Sequence, residues 1–504
     1  MKTPAGSTRN EHQPKTGHQG PGKGSDSRLD PYLCLSLADI RLKPPVVVQA
    51  GATVLEAARA MLREEAAACL VLRDSETIGI LTERDILQKV VAPGKDPAGV
   101  LAEEIMGSPL ITIRRNDLLF EAFSRMIRHV IRKLVVVDDD LVPVGILEER
   151  DLLSAKGENP VYLIGEIAAA KDVATLGQVF RRVGDMAVRS VAEGVGPFQV
   201  GRLISDMHDH VLTRVCDLIL KELGESPSGF SLLTLGSEGR REQYLATDQD
   251  NAMILADDQD RDIRDFFGRF AGQFVQALLD LGFPPCPHQV MVSNPDWRMA
   301  LDRWMDTVDT AVGRADLNDI LTISMLVDMR LVTGDRDLFD RLRDYLFKKI
   351  KDNPFLLKYM AREALRFSPP LGFFNNIVVE KSGPRKGLTD IKKGGVFPIT
   401  QGARTLAAEH VVLETSTEDR VLRLAEMGVF SESLASGLLE ACAFFQTLRL
   451  RFQTERLRAG ESPDNLIAPG RLSSLEQEKL KDCFKIVVEF QGLLSNKYKL
   501  HLLT

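Results

Sequence analysis

Cysteine is scarce in this sequence, and its few copies are scattered along the chain. The six cysteines form no Cys-x-x-Cys pair and show no spacing typical of a zinc site. This pattern favours reduced, mostly buried thiols in a cytoplasmic protein over a disulfide or zinc framework. The residues are Cys34, Cys69, Cys216, Cys286, Cys442 and Cys483.

Long apolar runs and an excess of basic residues are also missing. No stretch approaches the roughly 20 apolar residues that a membrane-spanning helix needs, and the first residues lack the apolar core of a secretory signal. The formal net charge of -7 argues against a general nucleic-acid binder, which normally carries more lysine and arginine than acid. We therefore expect neither a membrane nor a nucleic acid as partner.

The sequence does contain enough apolar material for several folded units. Its 504 residues are 44% hydrophobic and 27% charged, as in ordinary globular proteins. That length predicts roughly three domains. Residues 1–30 are the exception, because they have almost no large apolar side chains and are rich in glycine, proline and polar residues. We expect this tail to be disordered.

An internal repeat occupies residues 31–157. Each copy has the pattern of a strand, an amphipathic helix, two short strands and a Glu-Arg-Asp-(Ile/Leu)-Leu turn. The two turns hold Asp85 and Asp151, which stand 66 residues apart. A repeat of this period predicts two similar units packed against each other.

The β-α-β-β-α order and the paired turns resemble a tandem CBS pair. The resemblance implies that the cleft between the copies binds an adenine nucleotide, with the aspartate on the ribose and a nearby threonine at the phosphate. Thr82 and Asp85 match that pattern, and Asp151 matches it in the second copy. Glu148 replaces the second threonine and would repel a phosphate, so the second site would prefer a less phosphorylated ligand or none. Capping of the following helices is the alternative role for both aspartates, and CBS pairs imply a homodimer.

Residues 158–226 show the apolar spacing of helices, interrupted at residues 194–197 by two glycines and a proline. The spacing therefore predicts two helices. The cluster at 206–210, Asp-Met-His-Asp-His, invites a metal interpretation. On a helix, however, residue 208 does not share a face with 206 and 210. We interpret the cluster as a polar helix face.

The most informative segment lies between residues 232 and 255. Two apolar runs flank a Gly-Ser turn, Gly236 and Ser237, and an Asp-Gln-Asp triplet that contains Asp248 and Asp250. Carboxylates two residues apart on an extended chain face the same side. Mg²⁺ prefers such oxygen ligands and leaves room for phosphate oxygens, and a Gly-Ser turn lets the backbone approach a phosphate closely. The pattern predicts a metal-dependent nucleotidyl-transfer site, and an acidic loop with a chance Gly-Ser turn is the structural alternative.

The full motif resembles the nucleotidyltransferase superfamily of DNA polymerase beta, whose signature is Gly-Ser, a spacer and Asp-x-Asp. Its residues, from Gly-Ser-Glu-Gly-Arg-Arg-Glu-Gln to Thr-Asp-Gln-Asp-Asn-Ala, resemble the bacterial branch related to the PII-protein uridylyltransferases. They resemble more closely the nucleotidyltransferases that carry CBS domains N-terminal to the core. The resemblance implies that Asp248 and Asp250 are catalytic and bind Mg²⁺ or Mn²⁺. It also implies that Gly236 and Ser237 seat the phosphates of a nucleoside triphosphate. The implied reaction is uridylyl or adenylyl transfer to a protein acceptor of PII type.

Three basic residues are predicted to contact the nucleotide. Arg240 suits bidentate phosphate contact and occupies a position where the related enzymes carry arginine, although an ion pair with Glu238 or Glu242 is the alternative. The Asp-Ile-Lys-Lys-Gly-Gly element at 390–395 resembles part of the substrate-binding helical domain of the same branch. We expect a flexible basic loop there, in which Lys392 or Lys393 contacts the phosphates. A solvated basic loop is the alternative.

The sequence departs from the family at the third carboxylate. Many relatives of DNA polymerase beta place this acid on the strand opposite the Asp-x-Asp pair, where it binds metal or acts as a general base. The strand predicted here, residues 289–293, contains no acid. The nearest candidates are Asp296, Asp302 and Asp328, and His288 could polarise a phosphate or the acceptor. The third ligand therefore stays unassigned.

These patterns predict a multidomain protein of α/β and α parts. It combines tandem βαββα CBS repeats, a polymerase-beta-like core with a mixed sheet, and a C-terminal helical bundle. The function predicted is nucleotidyl transfer regulated by adenine nucleotide, and the alternative is a non-catalytic nucleotide sensor that acts through protein contacts. The predicted boundaries are a tail at 1–30, CBS repeats at 31–93 and 94–157, a helical linker at 158–226, the core at 227–330 and a helical substrate-binding domain at 331–504.

Overall fold

The computed structural model describes residues 37–39, 42, 44–74, 76–148, 160–192, 195–244, 248–372 and 376–502. The expected tail at 1–30 and the predicted ligand residue Asp151 lie outside these residues. No helix within the described ranges combines the length and the apolar character needed to cross a membrane.

Two three-stranded sheets of identical topology form the N-terminal part, as the sequence repeat predicts. In each, the first strand pairs in parallel with the second, and the second pairs antiparallel with the third. The strands are β1 (Val46–Gln49), β2 (Ala68–Arg73), β3 (Glu76–Thr82), β4 (Thr112–Arg114), β5 (Lys133–Val137) and β6 (Pro143–Glu148). The helices are α1 (Val54–Arg63), α2 (Glu83–Ile86), α3 (Ala102–Ile105) and α4 (Leu119–His129). Buried Leu70, Val135 and Val137 join the two sheets face to face.

Three helices, rather than the two predicted, follow the repeat. They are α5 (Pro160–Ala169), α6 (Val173–Ala192) and α7 (Pro197–Leu223). Pro197 occupies the first turn of α7, where its missing N–H costs no helical hydrogen bond. The additional break falls at 170–172, where the Asp172 side chain accepts a hydrogen bond from the Thr175 N–H.

A four-stranded mixed sheet carries the Gly-Ser and Asp-x-Asp motifs. Its order is β10-β7-β8-β9, with β8 and β9 parallel and the other neighbours antiparallel. The elements are β7 (Phe230–Thr234), α8 (Gly236–Gly239), β8 (Asn251–Leu255), α9 (Arg261–Leu281), β9 (Arg298–Ala300), α10 (Leu301–Arg314), α11 (Leu317–Val327) and β10 (Arg330–Gly334). Because β7 and β8 are antiparallel neighbours, the end of β7 and the start of β8 lie at one edge of the sheet.

The strand predicted at 289–293 is wrong. Gln289 has a φ of +56°, which is incompatible with an extended chain, and the segment forms a loop. The loop is fastened to the first residue of β8: Asn251 N–H donates to the Val290 carbonyl at 3.1 Å, and the Val292 N–H donates to Asn251 Oδ1 at 2.8 Å. The strand that pairs with β8 is β9, five residues further along the chain.

The C-terminal part is helical, as the predicted bundle requires. The helices are α12 (Arg336–Lys351), α13 (Pro354–Ala364), α14 (Phe397–His410), α15 (Thr417–Glu426), α16 (Glu432–Arg458) and α17 (Ser474–Tyr498). A short ladder joins β11 (Thr389–Asp390) to β12 (Leu466–Ile467). Leu233 and Ile254 of the sheet share one apolar cluster with Leu406 and Phe445 of the bundle, so the bundle packs directly on the core.

Candidate active site

The Gly-Ser turn lies directly against the second aspartate of the motif. The Leu235 N–H donates to the Asp250 carbonyl at 2.9 Å, and Gly236 follows with a φ of +55°. A Cβ atom built on Gly236 would lie 2.6 Å from Asp250 Oδ2. Glycine is therefore required at this position both by the left-handed backbone and by the close approach to the carboxylate.

The two predicted metal ligands meet beside a cysteine. Asp248, Asp250 and Cys286 each offer one ligand atom, and these three atoms lie within 4.8 Å of one another. The two aspartates come just before β8 in the chain rather than on the strand itself. Asp250 is buried, and within the described part of the chain its Oδ1 has no hydrogen-bond partner. A buried carboxylate oxygen without a partner, next to a second carboxylate, fits a divalent cation. Asp248 and Asp250 are the residues that would hold it.

The electrostatics of the pair also fit a cation. Burial raises the pKa of Asp250 to about 7, and the neighbouring charge of Asp248 adds to the rise, whereas the thiol of Cys286 opposes it. Burial and the nearby Asp250 raise the pKa of the Cys286 thiol to about 12. The thiol is therefore neutral at pH 7 and lies beside the carboxylate. A bound cation would remove the cost of holding two carboxylates together in a buried site.

The third acid discussed from the sequence is not found at this site. Asp296 and Asp302 are exposed, and Asp328 is committed to arginines. Among the described residues, the third group beside the aspartates is Cys286. Sequence reasoning treated Cys286 only as a buried thiol. Its position in the Pro-Pro-Cys-Pro run directly after a long amphipathic helix was the available signal.

Arg240 forms the ion pairs that the sequence offered as its alternative role. Its Nε donates to Glu242 Oε2 at 2.9 Å, and its Nη1 donates to Asp328 Oδ2 at 2.6 Å. Asp328 is fully buried and also binds Arg404 and Arg420. Arg240 is still close enough to lower the pKa of Asp250. Its contact with phosphate remains a prediction.

The basic element at 390–395 is ordered and separates its two lysines. Residues Lys392–Val396 form a π-helical turn after β11, and a Cβ on Gly394 or Gly395 would clash with neighbouring side chains, so the expected flexible loop is wrong. Lys392 is half-buried, and its charge lowers the pKa of Asp250. Burial and the charge of Arg449 lower the pKa of Lys392 itself, whereas the charges of Asp248 and Asp250 raise it. Lys393 is exposed, lies 3.9 Å from Asp390 and caps the Phe367 ring. Lys392 is therefore the lysine positioned at the site.

The helix cluster at 206–210 is not the polar surface that we interpreted from the sequence. Asp206 and His208 are buried. Asp206 accepts hydrogen bonds from Ser124 Oγ and Arg128 Nη2 of the second repeat, each at 3.0 Å. It also accepts one from Arg241 Nη1 at 2.9 Å. Arg241 closes the turn that begins at Gly236, so one buried carboxylate links the second repeat to the Gly-Ser motif.

The predicted regulatory residues of the first repeat form a helix cap. Thr82 is the N-cap of α2, and its N–H donates to Asp85 Oδ2 at 3.0 Å in a capping box. Asp85 also pairs with Lys89 at 2.8 Å. The capping alternative is therefore present, although Asp85 acts from the third helical position rather than at the cap. Nucleotide binding by these residues remains a prediction.

Comparison with known proteins agrees with the domain order. Residues 37–92 and 102–158 match the CBS domain model, residues 181–318 match the family described as "Putative nucleotidyltransferase DUF294", and residues 354–498 match its "Putative nucleotidyltransferase substrate binding domain".

Individual relatives match over the length of a CBS pair. A protein of Methanopyrus kandleri is 32% identical over 134 residues, which cover 26% of this chain and 66% of that protein. The CBS domain-containing protein YhcV of Bacillus subtilis is 32% identical over 117 residues, which cover 23% of this chain and 82% of YhcV. The structure of a Pyrobaculum aerophilum CBS domain protein complexed with AMP is 30% identical, covers 24% of this chain and 93% of its own, and has a TM-score of 0.23. The chain thus belongs to the CBS-domain-containing proteins, and behind its CBS pair it carries a nucleotidyltransferase domain of the DUF294 type and the matching substrate-binding domain.

Proposed function

We propose that this protein transfers a nucleoside monophosphate from a nucleoside triphosphate to an acceptor hydroxyl in a Mg²⁺-dependent reaction. The observation that carries the proposal is the pair of Asp248 and Asp250 beside the Gly-Ser turn, with an unpartnered oxygen on Asp250 in the described structure. Mg²⁺ or Mn²⁺ bound there would neutralise the charge that develops on the phosphates. The acceptor oxygen would attack the α-phosphorus, its proton would pass to solvent or base, and pyrophosphate would leave.

The residues around the pair supply binding rather than chemistry. The backbone at Gly236 lies against the Asp250 carboxylate, and Ser237 follows it as the predicted phosphate contact. Lys392 brings a positive charge from the helical domain to the same place. The core, through the metal, and the helical domain, through the lysine, would therefore hold one triphosphate between them.

The acceptor and the regulator follow from the resemblance. A signalling protein of PII type is the proposed acceptor, and either a uridylyl or an adenylyl group is proposed as the group transferred. An adenine nucleotide bound near Thr82 and Asp85 is the proposed regulator, and the CBS pair is the proposed dimer contact. The five described cysteines are free and buried, which supports the proposed cytoplasmic setting.

The buried carboxylate of Asp206 offers a physical route for this regulation. It joins α4 of the second repeat to Arg241, which lies directly after Arg240 of the motif. Phe120 and Ile127 of α4 are buried in one apolar cluster with Leu232 and Met253 of the core sheet. A shift of α4 on nucleotide binding would therefore change the packing against the sheet that carries the Gly-Ser and Asp-x-Asp motifs.

Replacing Asp206 by asparagine is expected to uncouple the CBS pair from the core. The amide keeps the shape but leaves Arg128 and Arg241 without their charge partner. Allosteric couplings are typically 5- to 150-fold. We expect the ratio of transfer rates with and without adenine nucleotide to fall to about 1. The matched control is Asp217→Asn on the same helix. Asp217 is exposed, and its ion pair with Arg214 is long at 4.0 Å and should therefore contribute little. An unchanged ratio in Asp206→Asn would show that the coupling runs elsewhere.

A non-catalytic nucleotide sensor is the second candidate, and one observation favours it. The third group at the site is a neutral thiol, so the described residues supply two carboxylates where many relatives have three. In this case the core would bind a nucleotide without turnover, and the helical domain would engage a signalling partner.

Label transfer tests the proposal directly. The full chain is incubated with Mg²⁺, each of the four α-labelled nucleoside triphosphates in turn, and lysate of its own host, and pyrophosphate is measured. Label on a discrete protein band, absent with the Asp248→Asn/Asp250→Asn variant, would establish the transferase and identify the acceptor. Adenine-nucleotide binding without label from any triphosphate would favour the sensor.

A further inference from the structure

A cavity of about 680 Å³ lies between the linker helices and the helical domain, outside the group of Asp248, Asp250 and Cys286. Its volume falls in the range of small-molecule sites, which is roughly 300–1,000 Å³. Its walls come from α6, α7, the end of α9 and the end of α16, and most of the lining is apolar. The rings of Phe180, Phe283 and Tyr244 are part of that lining, and the first two stack at 4.7 Å.

The cavity wall also contains polar groups that lack a partner. Tyr244 and Thr454 are 5% and 8% exposed, and no hydrogen-bond partner for either hydroxyl is found among the described residues. His208 lines the same wall, and its Nδ1 lies 2.6 Å from Gln243 Oε1. Burial lowers the pKa of His208 to about 4, so its ring is neutral at pH 7. Buried hydroxyls without partners are unfavourable, and a small rotation of these side chains toward the polar edge of a ligand would satisfy them.

The cavity and the aspartate pair share a wall. Pro284 lines the cavity, and its carbonyl accepts a 3.0 Å hydrogen bond from the N–H of Gln249, the residue between Asp248 and Asp250. Tyr244, which also lines the cavity, lies four residues before Asp248 in the chain. The cavity therefore adjoins the segment that carries the aspartate pair.

We propose that this cavity receives the base of the nucleoside triphosphate whose phosphates bind at the aspartate pair. The inference rests on the proposed function and names its substrate-recognition site. Aromatic walls suit the faces of a flat heterocycle, and such stacking tolerates any base. A small rotation would bring the hydroxyls of Tyr244 and Thr454 to the polar edge of the base, beside the neutral ring of His208. These three residues would set the preference among bases.

Gly184 offers a way to fill the cavity without disturbing the fold. It lines the cavity from the middle of α6, and a Cβ built on it has no atom of the described structure within 4 Å. Leucine is also a better helix former than glycine. Gly184→Leu should therefore fold well and occupy the ligand's space. Gly272→Leu is the matched control, because Gly272 is an exposed residue in the middle of α9 with equally open surroundings.

The experiment compares full-length wild type, both glycine variants and Asp248→Asn/Asp250→Asn by calorimetric titration in Mg²⁺. The probes are non-hydrolysable analogues of the four nucleoside triphosphates, and inorganic tripolyphosphate. We expect Gly184→Leu to weaken nucleotide binding about 10-fold or more, with tripolyphosphate binding unchanged and Gly272→Leu equal to wild type. Nucleotide binding that survives both Gly184→Leu and the double aspartate substitution belongs to the CBS pair.

Each other outcome has a definite meaning. Unchanged nucleotide affinity in Gly184→Leu, with intact tripolyphosphate binding, overturns the base site while the metal site stands. If the same variant loses label transfer at unchanged nucleotide affinity, the cavity receives the acceptor and the proposal is also overturned. A third outcome is that wild type binds nucleotides but not tripolyphosphate, and that Gly184→Leu weakens the nucleotide binding. In that case the base site stands and the proposed transfer falls. If wild type binds neither probe outside the CBS pair, both proposals fall.

Discussion

Replacing Asp328 by asparagine is expected to destabilise the core by about 3–5 kcal/mol, the usual effect of breaking a buried ion pair. Its two oxygens accept hydrogen bonds from Arg240 at 2.6 Å, Arg420 at 2.6 Å and Arg404 at 2.5 Å. Burial opposes ionisation of Asp328, yet the three guanidinium groups hold its pKa well below the ordinary range. Loss of this one negative charge leaves three buried guanidinium groups without the carboxylate that neutralises them.

Tryptophan fluorescence during urea unfolding measures this effect selectively. The chain has two tryptophans, Trp297 and Trp304, and both are buried in the core next to the sheet. Asp337→Asn is the control, since Asp337 is an exposed acid 3.6 Å from Arg341 and such surface pairs contribute roughly 0–1 kcal/mol. A midpoint for Asp328→Asn equal to that of Asp337→Asn would contradict the central role of the charge. Because the folded-state pKa of Asp328 is depressed, its contribution to stability should be complete above the ordinary aspartate pKa of about 4 and should be lost progressively as the pH falls below that value.

Replacing Asp250 by asparagine is expected to act in opposite directions on activity and on stability. Outer partners of metal ligands typically contribute 10- to 100-fold to activity, so loss of a direct ligand should lower transfer at least about 100-fold. Without metal, however, the ionised Asp250 is an unfavourable group, since it is buried beside Asp248. Its raised pKa means that this cost is absent near pH 4, grows as pH rises to about 7 and is constant above. The metal-free variant should therefore be at least as stable as wild type at pH 8.

Magnesium separates the two effects. A ligand at 100 times its Kd stabilises the folded protein by about 2.7 kcal/mol, so Mg²⁺ should raise the unfolding midpoint of wild type but not of Asp250→Asn. The control variant is Asp296→Asn, which removes an exposed acid from the same region and should behave as wild type in both assays. Equal responses of wild type and Asp250→Asn to Mg²⁺ would show that the aspartate pair does not hold the ion.

Much of the architecture follows from local patterns in the sequence. The two copies of the repeat, α9 with its end at Gly282 and the C-terminal helices are visible as apolar periodicity bounded by glycine and proline, because each element buries one face. The neighbourhood of Gly236, Asp248 and Asp250 is nearly as local, since two antiparallel strands joined by a short excursion must meet at one edge. The loop at 289–293 was misjudged because its Val-Met-Val run mimics a strand, whereas its backbone turns at Gln289.

The rest of the candidate site was decided by contacts between distant parts of the chain. Nothing local distinguishes Lys392 from Lys393, yet the folded structure partly buries Lys392 within reach of the aspartate charges and leaves Lys393 exposed beside Asp390. Asp206 looks like a surface residue until α4 of the second repeat is docked on it. Arg240 finds Asp328 at a separation of 88 residues.

The sequence by itself therefore determined most of the elements, the repeat and the closeness of Asp248 and Asp250 to the Gly-Ser turn, because these depend on periodicity and on neighbours along the chain. Only the tertiary structure decided which charges are buried together, which lysine faces the site, and that Cys286 stands where a third acid was sought. The physical reason is that a buried charge is tolerated only beside a partner, and the partner is chosen by the packing of whole helices and sheets rather than by sequence spacing.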